Sequence, residues 1–184
     1  MNFLSWLFER NLSPKEVENE VERLCLEDPI ISNLHKKLNT SIKVEDCQDE
    51  NIRAYYNIKQ NKIIISPYGF NYNTLHEALL HEYIHAYDQN VNDIAINTLE
   101  GLASTEIHAA KYCECANTFF FKRQKTFSKA VEAVTCSIHD PDRAYNAVNS
   151  VFSKVYEEKI PFLEFSPIEE DNFHQTLFFF DPYQ

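Results

Sequence analysis

Two histidines four residues apart, with a glutamate directly after the first, form the most chemically informative pattern in the chain. The segment reads His81-Glu82-Tyr83-Ile84-His85. On an α-helix, residues four positions apart lie about 40° apart around the axis and about 6 Å apart along it. Two imidazoles in that arrangement can bind one zinc ion, and the intervening glutamate can take a proton from an attacking water. The spacing therefore predicts a Zn2+ site at His81 and His85, with Glu82 as the catalytic base of peptide hydrolysis.

The surrounding residues predict a helix with two distinct faces. If Leu75 is set at 0° and each residue advances by about 100°, His81 and His85 fall near about 240° and 280°. An apolar stripe falls instead between about 40° and 180°. It consists of Leu79, Leu80, Tyr83, Ile84 and Tyr87. We therefore expect one face to pack in the core and another to present the histidines, the alternative being a surface-exposed histidine pair. His76 falls near about 100° and is expected to be a partly buried polar residue and not a ligand.

A catalytic zinc normally has a third protein ligand, and three residues are candidates. Glu106 falls at about 340° on a helix whose small apolar side spans about 300° to 40° when Leu99 is set at 0°. A carboxylate buried there needs a partner, which is either zinc or an ordinary salt bridge. Asp88 lies beside the histidine pair. Its carboxylate could accept a hydrogen bond from the free N–H of a ligand histidine, or it could bind the zinc ion directly. His108 falls near about 180°, on the polar side. Glu106 is the preferred third ligand.

Helices and one hairpin are predicted to position these residues. Ser13-Pro14-Lys15-Glu16 combines a cap, a proline at the first helical position and a capping box, which predicts a helix to about Glu27. Asp28-Pro29 predicts a second helix that ends near Asn39. The alternating residues of 51–66 predict a β-hairpin that turns near Gln60-Asn61. Further helices are expected over residues 74–90, 95–117, 123–136 and 141–158.

These elements predict one α+β domain over residues 1–184. We expect a small β-hairpin or short sheet beside a helical bundle, with a zincin-like active-site helix. Its parts are N-terminal helices over 13–39, the hairpin over 51–66, catalytic helices over 74–117, C-terminal helices over 123–158 and an irregular, aromatic tail over 160–184. The small residues Gly101, Ala103, Ala109 and Ala110 are expected to make one catalytic helix thin enough to approach the other closely.

Composition narrows the possible functions. The net charge is −11, which argues against a nucleic-acid partner because phosphate contacts need clustered basic residues. No apolar run is long enough for a transmembrane span, but the apolar start over 1–8 could pack on the core or touch a membrane surface. The five cysteines lack zinc-knuckle spacing and are expected to be buried free thiols. A serine or cysteine triad, a P-loop and a dinucleotide fingerprint are not indicated.

Two blocks of sequence resemble a known family. Residues 80–88 read Leu-His-Glu-Tyr-Ile-His-Ala-Tyr-Asp, and residues 104–110 read Ser-Thr-Glu-Ile-His-Ala-Ala. They are similar to the mitochondrial intermembrane-space metallopeptidases that process a subunit of the ATP synthase and assist its assembly. A weaker similarity extends over about residues 60–162 and includes Pro161-Phe162. The resemblance implies zinc bound by His81, His85 and Glu106, with Glu82 catalytic.

The same resemblance implies a compartment. It places the protein in the intermembrane space, peripheral to the inner membrane. The family is rich in disulfide cysteines, whereas Ser66, Asn90 and Val155 stand at three of those positions here. This departure keeps a cytosolic or nuclear location as the alternative.

The most economical interpretation is a zinc metalloendopeptidase that acts on a protein or peptide substrate in organellar protein processing. One alternative is a non-proteolytic assembly chaperone that keeps the zinc fold, a role that an exposed aromatic tail would suit. The intact Glu82 favours a peptidase over a chaperone, since a protein that only binds its partner has no need of a catalytic base. A DNA-associated protease of the same motif is disfavoured by the acidic charge.

Overall fold

The computed structural model describes residues 10–47 and 52–158 of the 184-residue chain. Within these ranges the chain is mostly helical with one small sheet, which confirms the predicted α+β class. The elements in chain order are α1 Pro14–Glu27, α2 Pro29–Leu38, β1 Ser41–Val44, β2 Ala54–Asn57, β3 Lys62–Ile65, α3 Tyr72–Asn90, α4 Leu99–Tyr112, α5 Lys122–Ile138 and α6 Pro141–Glu157. The apolar start, the aromatic tail and Pro161-Phe162 lie outside the described residues.

The two predicted N-terminal helix starts are confirmed. The Glu16 backbone N–H donates to Ser13 Oγ, and the Ser13 backbone N–H donates to the Glu16 carboxylate, which completes the capping box. Asp28 caps α2 by accepting from the backbone N–H groups of Ile30 and Ile31. Asn39 then ends α2 in the left-handed conformation, with φ of 47°.

The sheet contains the predicted hairpin and one strand that was not predicted. β2 and β3 pair antiparallel, from Ala54 opposite Ile65 to Asn57 opposite Lys62. β1 pairs parallel with the other edge of β3, so the strand order is β1-β3-β2. The four residues of β1 alternate between exposed and half-buried positions, too short a pattern to distinguish from a loop by sequence. β3 is central, which explains why Ile63, Ile64 and Ile65 are all buried.

Helix α3 lies across the first hydrophobic core, between the sheet and the N-terminal helices. The apolar stripe predicted for this helix is buried, and Leu75, Leu79, Tyr83 and Ile84 are fully inaccessible. The Tyr83 hydroxyl reaches across to α2, where it forms a 2.7 Å hydrogen bond with His35 Nδ1. This bond satisfies a buried hydroxyl and links α3 to α2.

A second core joins α4 to α5 and α6 through buried small and branched side chains. It includes Ala103, Ile107, Ala130, Val134, Ala144 and Val148. The expectation of a thin α4 facing α3 was therefore only partly right. Ala109 belongs to the first core with α3, but Ala103 packs toward α5 and α6. At Gly101 an added Cβ would lie 2.0 Å from the carbonyl oxygen of Ala95. The glycine therefore allows the preceding loop to pack closely against α4, and it does not serve the approach of α3.

Local hydrogen bonds set the ends of α4, which is shorter than predicted. Thr98 Oγ1 accepts from the Gly101 backbone N–H and begins the helix there, so the residues just after Ala95 form turns instead. The helix ends at Tyr112, and residues 113–117 form turns. None of the helices in the described part of the chain combines the length and apolar character required to cross a bilayer.

Candidate metal centre

Helices α3 and α4 bring three potential metal ligands together. His81 and His85 lie one turn apart on α3, with their ring centroids separated by 4.6 Å. Glu106 on α4 faces both rings: its Oε2 lies 3.6 Å from His81 Nε2, and its Oε1 lies 3.6 Å from His85 Nε2. One ligand atom from each residue lies within 4.8 Å of the others. The glutamate therefore faces the histidine pair, as predicted, while its role as a ligand stays a prediction.

Neighbouring side chains hold the outer nitrogen of each histidine. His81 Nδ1 donates to Glu114 Oε1 at 2.9 Å, and His85 Nδ1 forms a 2.8 Å hydrogen bond with Thr105 Oγ1. These contacts fix the orientation of both rings and leave the Nε2 atoms directed toward Glu106. Such partners on the far nitrogen are a regular feature of histidines that bind metals, because they fix the tautomer and raise the basicity of the ligand.

The charges at the site create a strong demand for a cation. Burial raises the pKa of Glu106 to about 7. Glu106 Oε2 is buried and has no hydrogen-bond partner among the described residues. A buried carboxylate oxygen without a partner is costly, and a bound cation would remove that cost. Two imidazole nitrogens and one carboxylate form a donor set that suits catalytic zinc. The residues present therefore fit a zinc ion.

The two histidines have opposite pKa shifts. Burial and the nearby charge of His81 lower the pKa of His85 well below its usual range, so its imidazole is neutral and able to bind a metal. Burial also acts to lower the pKa of His81, but the hydrogen bond to Glu114 and the charges of Glu82 and Glu106 outweigh it and raise the pKa to about 10. A proton on His81 thus balances the surrounding carboxylates, and a metal cation would take its place.

Glu82 lies beside this group and contacts the edge of the sheet. Its side chain is buried at 7% exposure, and burial raises its pKa. The backbone N–H of Tyr56 on β2 faces the Glu82 carboxylate and acts against that rise. A buried carboxylate with a raised pKa is suited to accept a proton near neutral pH.

The other two ligand candidates lie in a separate buried pair. His108 Nδ1 donates to both carboxylate oxygens of Asp88, at 3.0 and 2.9 Å. The assignment of His108 to the polar side of its helix was wrong: the side chain is buried, because the side of α4 opposite the second core is covered by α3. Asp88 likewise bonds His108 and Asn92, and neither His81 nor His85. His76 is a half-buried partner of Asp28, in agreement with its exclusion as a ligand.

Two residues that contact the histidines were missed in the sequence. Thr105 directly precedes Glu106, and the signal that could have identified it is a hydroxyl next to the preferred third ligand in the sequence. Glu114 gave no such signal, since it lies in the turn after α4 and reaches His81 only because the chain bends back there.

All five cysteines are free, and Cys25 and Cys115 are buried as expected. Cys136 is exposed, in contrast to that expectation.

The model of the Peptidase M76 family matches residues 15–163 of the chain, a range that includes both histidines, Glu82, Glu106 and Glu114. The chain belongs to this family. Comparison with curated proteins and with solved structures found no match. At the level of the Peptidase M76 family the protein is a metallopeptidase, in agreement with the group of His81, His85 and Glu106 that could hold a metal ion.

Proposed function

We propose that this member of the Peptidase M76 family is a zinc metalloendopeptidase that hydrolyses peptide bonds of a protein substrate. The observation that carries the proposal is the convergence of His81, His85 and Glu106 within 4.8 Å, beside a buried Glu82. Each of these four residues has the chemistry that a zincin-like site requires. The two histidines and Glu106 would hold the metal, and Glu82 would handle protons.

The chain's own residues account for the proton transfers. When bound, zinc supplies a Lewis acid that polarises the scissile carbonyl and makes water an effective nucleophile near neutral pH. Glu82 accepts the proton of the attacking water, because its pKa is raised by burial. The backbone N–H of Tyr56 faces that carboxylate from the edge of the sheet. Glu82 then gives that proton to the amine that leaves, so it acts as base and as acid in turn.

The edge strand β2 supports an extended peptide as the substrate class. Among the described residues, β2 has a strand partner on one side only. The Ser66 backbone N–H donates to the Arg53 carbonyl, so Ala54 and Tyr56 direct their backbone groups away from β3. The Tyr56 N–H on that edge reaches Glu82. A peptide that added to this edge would therefore pass the catalytic base.

Residues 80–88 and 104–110 carry the resemblance on which the cellular role rests. On that basis we propose that the protein processes a mitochondrial protein in the intermembrane space, at the surface of the inner membrane. The alternative location is the cytosol or nucleus. Localisation of the tagged full-length chain by fractionation and protease protection tests the compartment separately from the chemistry.

The test of the chemistry is the Glu82→Gln variant. We expect it to retain zinc and the wild-type circular dichroism spectrum but to lose peptidase activity by several orders of magnitude, because it removes the proton acceptor and keeps the metal ligands. Zinc content is measured by metal analysis and activity with a library of unstructured peptides. His76→Ala on the same helix is the matched control and should remain active.

Equal activity in wild type and Glu82→Gln would contradict the proteolytic mechanism. If neither cleaved any peptide and both supported assembly of a partner protein equally well, the protein would act by binding and the chaperone alternative would replace the peptidase.

A further inference from the structure

A cluster of polar side chains at the turn of the hairpin joins three parts of the fold. Asn61 Oδ1 accepts hydrogen bonds from the Tyr56 hydroxyl at 2.9 Å and from Asn90 Nδ2 at 3.2 Å. Thr40 Oγ1 donates to the same oxygen at 3.1 Å. Asn90 Nδ2 also donates to the Tyr56 hydroxyl at 2.9 Å and to the Ala86 carbonyl at 2.7 Å. We call Thr40, Tyr56, Asn61 and Asn90 the hairpin clamp, which connects the sheet to the end of α3.

Asn61 suits the centre of the hairpin clamp for two reasons. Its backbone has a φ of 45°, in the left-handed region that asparagine adopts more readily than most residues. Each of its side-chain bonds to the other clamp residues uses the amide oxygen as acceptor. Thr40 is only 1% exposed, so its hydroxyl needs such an acceptor. An aspartate could supply the same oxygen, whereas a glycine would keep only the backbone conformation.

Tyr56 extends the hairpin clamp to the candidate metal centre. Its hydroxyl accepts from Asn90 at the end of α3, and its backbone N–H faces the Glu82 carboxylate on the same helix. Glu82 and Asn90 are eight residues apart, which is about two helical turns. The tyrosine therefore contacts α3 at two separate positions, one of which is the proposed catalytic base.

The hairpin clamp gives β2 directional contacts that packing alone does not provide. Among the described residues, β2 is an edge strand whose ladder bonds are with β3 only. Ala54 and Tyr56 pack against the first core. Apolar packing is non-directional, so it tolerates small movements of an edge strand. Hydrogen bonds require a definite distance and angle, and they therefore fix how closely β2 approaches α3.

We propose that Asn61 is a positioning residue that holds the edge strand β2 against α3 and so keeps Tyr56 at Glu82. The inference rests on the proposed function, in which a peptide adds to β2 and Glu82 accepts the proton. A strand that moved away from α3 would still offer its backbone groups to a peptide, but the scissile bond would lie farther from the base. Displacements of about 1 Å can cost about 100-fold in rate. The hairpin clamp therefore acts on kcat more than on KM.

The experiment compares zinc-loaded full-length variants by amide hydrogen exchange, followed by NMR, and by peptidase kinetics. Asn61→Gly keeps the left-handed turn and removes the acceptor, so we expect the Tyr56 N–H to exchange about tenfold faster than in wild type. The value of kcat per bound zinc should fall by about tenfold or more, with KM changed by less than about threefold. Asn61→Asp keeps the acceptor oxygen and should match wild type in both measurements.

Tyr56→Phe repeats the test without any change in the turn. It removes the hydroxyl and keeps the ring, so it should show the same faster exchange and lower kcat as Asn61→Gly. Tyr68→Phe is the matched control, because it removes a hydroxyl from a side chain that is 59% exposed in the loop after β3. This control should exchange and cleave like wild type.

Three results would overturn the positioning role. They are wild-type exchange in Asn61→Gly, equal behaviour of Asn61→Asp and Asn61→Gly, and faster exchange with an unchanged kcat per bound zinc. A wild type that cleaves no peptide would refute the proposed function instead. Hydrogen exchange would then still decide whether the hairpin clamp holds β2 at Glu82, because that measurement does not depend on activity.

Discussion

Glu106 is the residue on which the candidate metal centre depends most. Its carboxylate is buried at 6% exposure, faces two imidazoles and has one oxygen without a hydrogen-bond partner among the described residues. An ordinary salt bridge would satisfy such a group with a lysine or arginine, whereas Glu106 here faces the imidazoles of His81 and His85. This arrangement favours a metal ligand over a structural ion pair.

The first prediction concerns zinc affinity. Glu106→Gln should weaken zinc binding by more than about 100-fold, because a ligand contributes more than the outer contacts whose loss costs about 10- to 100-fold. Competition with a chromophoric chelator measures the change. His76→Ala, which removes an imidazole from the same helix as His81, should leave the affinity unchanged. Equal affinities of wild type and Glu106→Gln would move the third ligand elsewhere.

The second prediction concerns Glu114, a positioning residue that bonds His81 and does not itself face the metal. Glu114→Ala should weaken zinc binding by about 10- to 100-fold, because His81 loses the acceptor that orients its ring. Glu114→Gln should keep most of the affinity, since an amide oxygen still accepts from Nδ1. Both values are measured by the same competition assay.

Glu77→Gln is the control for a purely electrostatic role. Glu77 is exposed on α3, and its charge interacts with both Glu114 and His81. If Glu77→Gln weakened zinc binding as much as Glu114→Ala, the local negative charge would matter and the hydrogen bond would not.

At the scale of elements, the relation between α3 and α4 decides whether the ligands meet. Asp88 and His108 form a buried pair between these helices, three residues after His85 and two after Glu106. His108 Nε2 also lies 3.4 Å from Glu158 Oε2, without a hydrogen-bond geometry. The pair therefore connects the two helices that carry the candidate ligands, about one turn beyond the candidate metal centre.

The third prediction is a coupling energy for this pair. A double-mutant cycle with Asp88→Ala and His108→Ala should give a coupling of about 1–3 kcal/mol, because each single change leaves a buried polar group unsatisfied. Urea unfolding of the four proteins measures it. The exposed pair of Lys129 and Glu132 on α5 is the control and should couple by about 0.5 kcal/mol or less. A similar value for both pairs would show that burial adds nothing at Asp88 and His108.

At the scale of the whole molecule, the metal would connect two separate hydrophobic cores. One core surrounds α3, and the other joins α4 to α5 and α6. His81 and His85 belong to the helix of the first core, while Glu106 belongs to a helix of the second. A bound ion would therefore stabilise the packing of α3 against α4 as well as the site itself.

The fourth prediction is a loss of stability on metal removal. With free zinc at about 1,000 times its dissociation constant, the ion should stabilise the fold by about 4 kcal/mol, and a chelator should remove that amount. Calorimetry or thermal unfolding with and without chelator measures the difference. Without metal, Glu106→Gln should be at least as stable as wild type, since the variant replaces a buried carboxylate by a neutral amide. A chelator that left wild-type unfolding unchanged would argue against a structural contribution of the metal.

Local patterns determined a large part of this protein. The i, i+4 spacing of His81 and His85 places both rings on one side of any helix, whatever the rest of the chain does. The capping box at Ser13 and the alternation before Ile65 act between near neighbours, so the first helix and the hairpin were predictable. The small-residue setting of Glu106 was also visible in the sequence, because a buried charge needs a partner wherever it lies.

Only the tertiary structure decided the contacts between distant segments. β1 becomes a strand because β3 offers it an edge, and its four residues carry no independent signal. His108 lies opposite the small apolar side of α4, yet it is buried because α3 covers that side and the Asp88 carboxylate accepts a hydrogen bond from its Nδ1. Glu114 reaches His81 through a turn whose path depends on the buried Cys115. Helical periodicity predicts the direction in which a side chain leaves its own helix. It does not predict which other element of the fold lies in that direction.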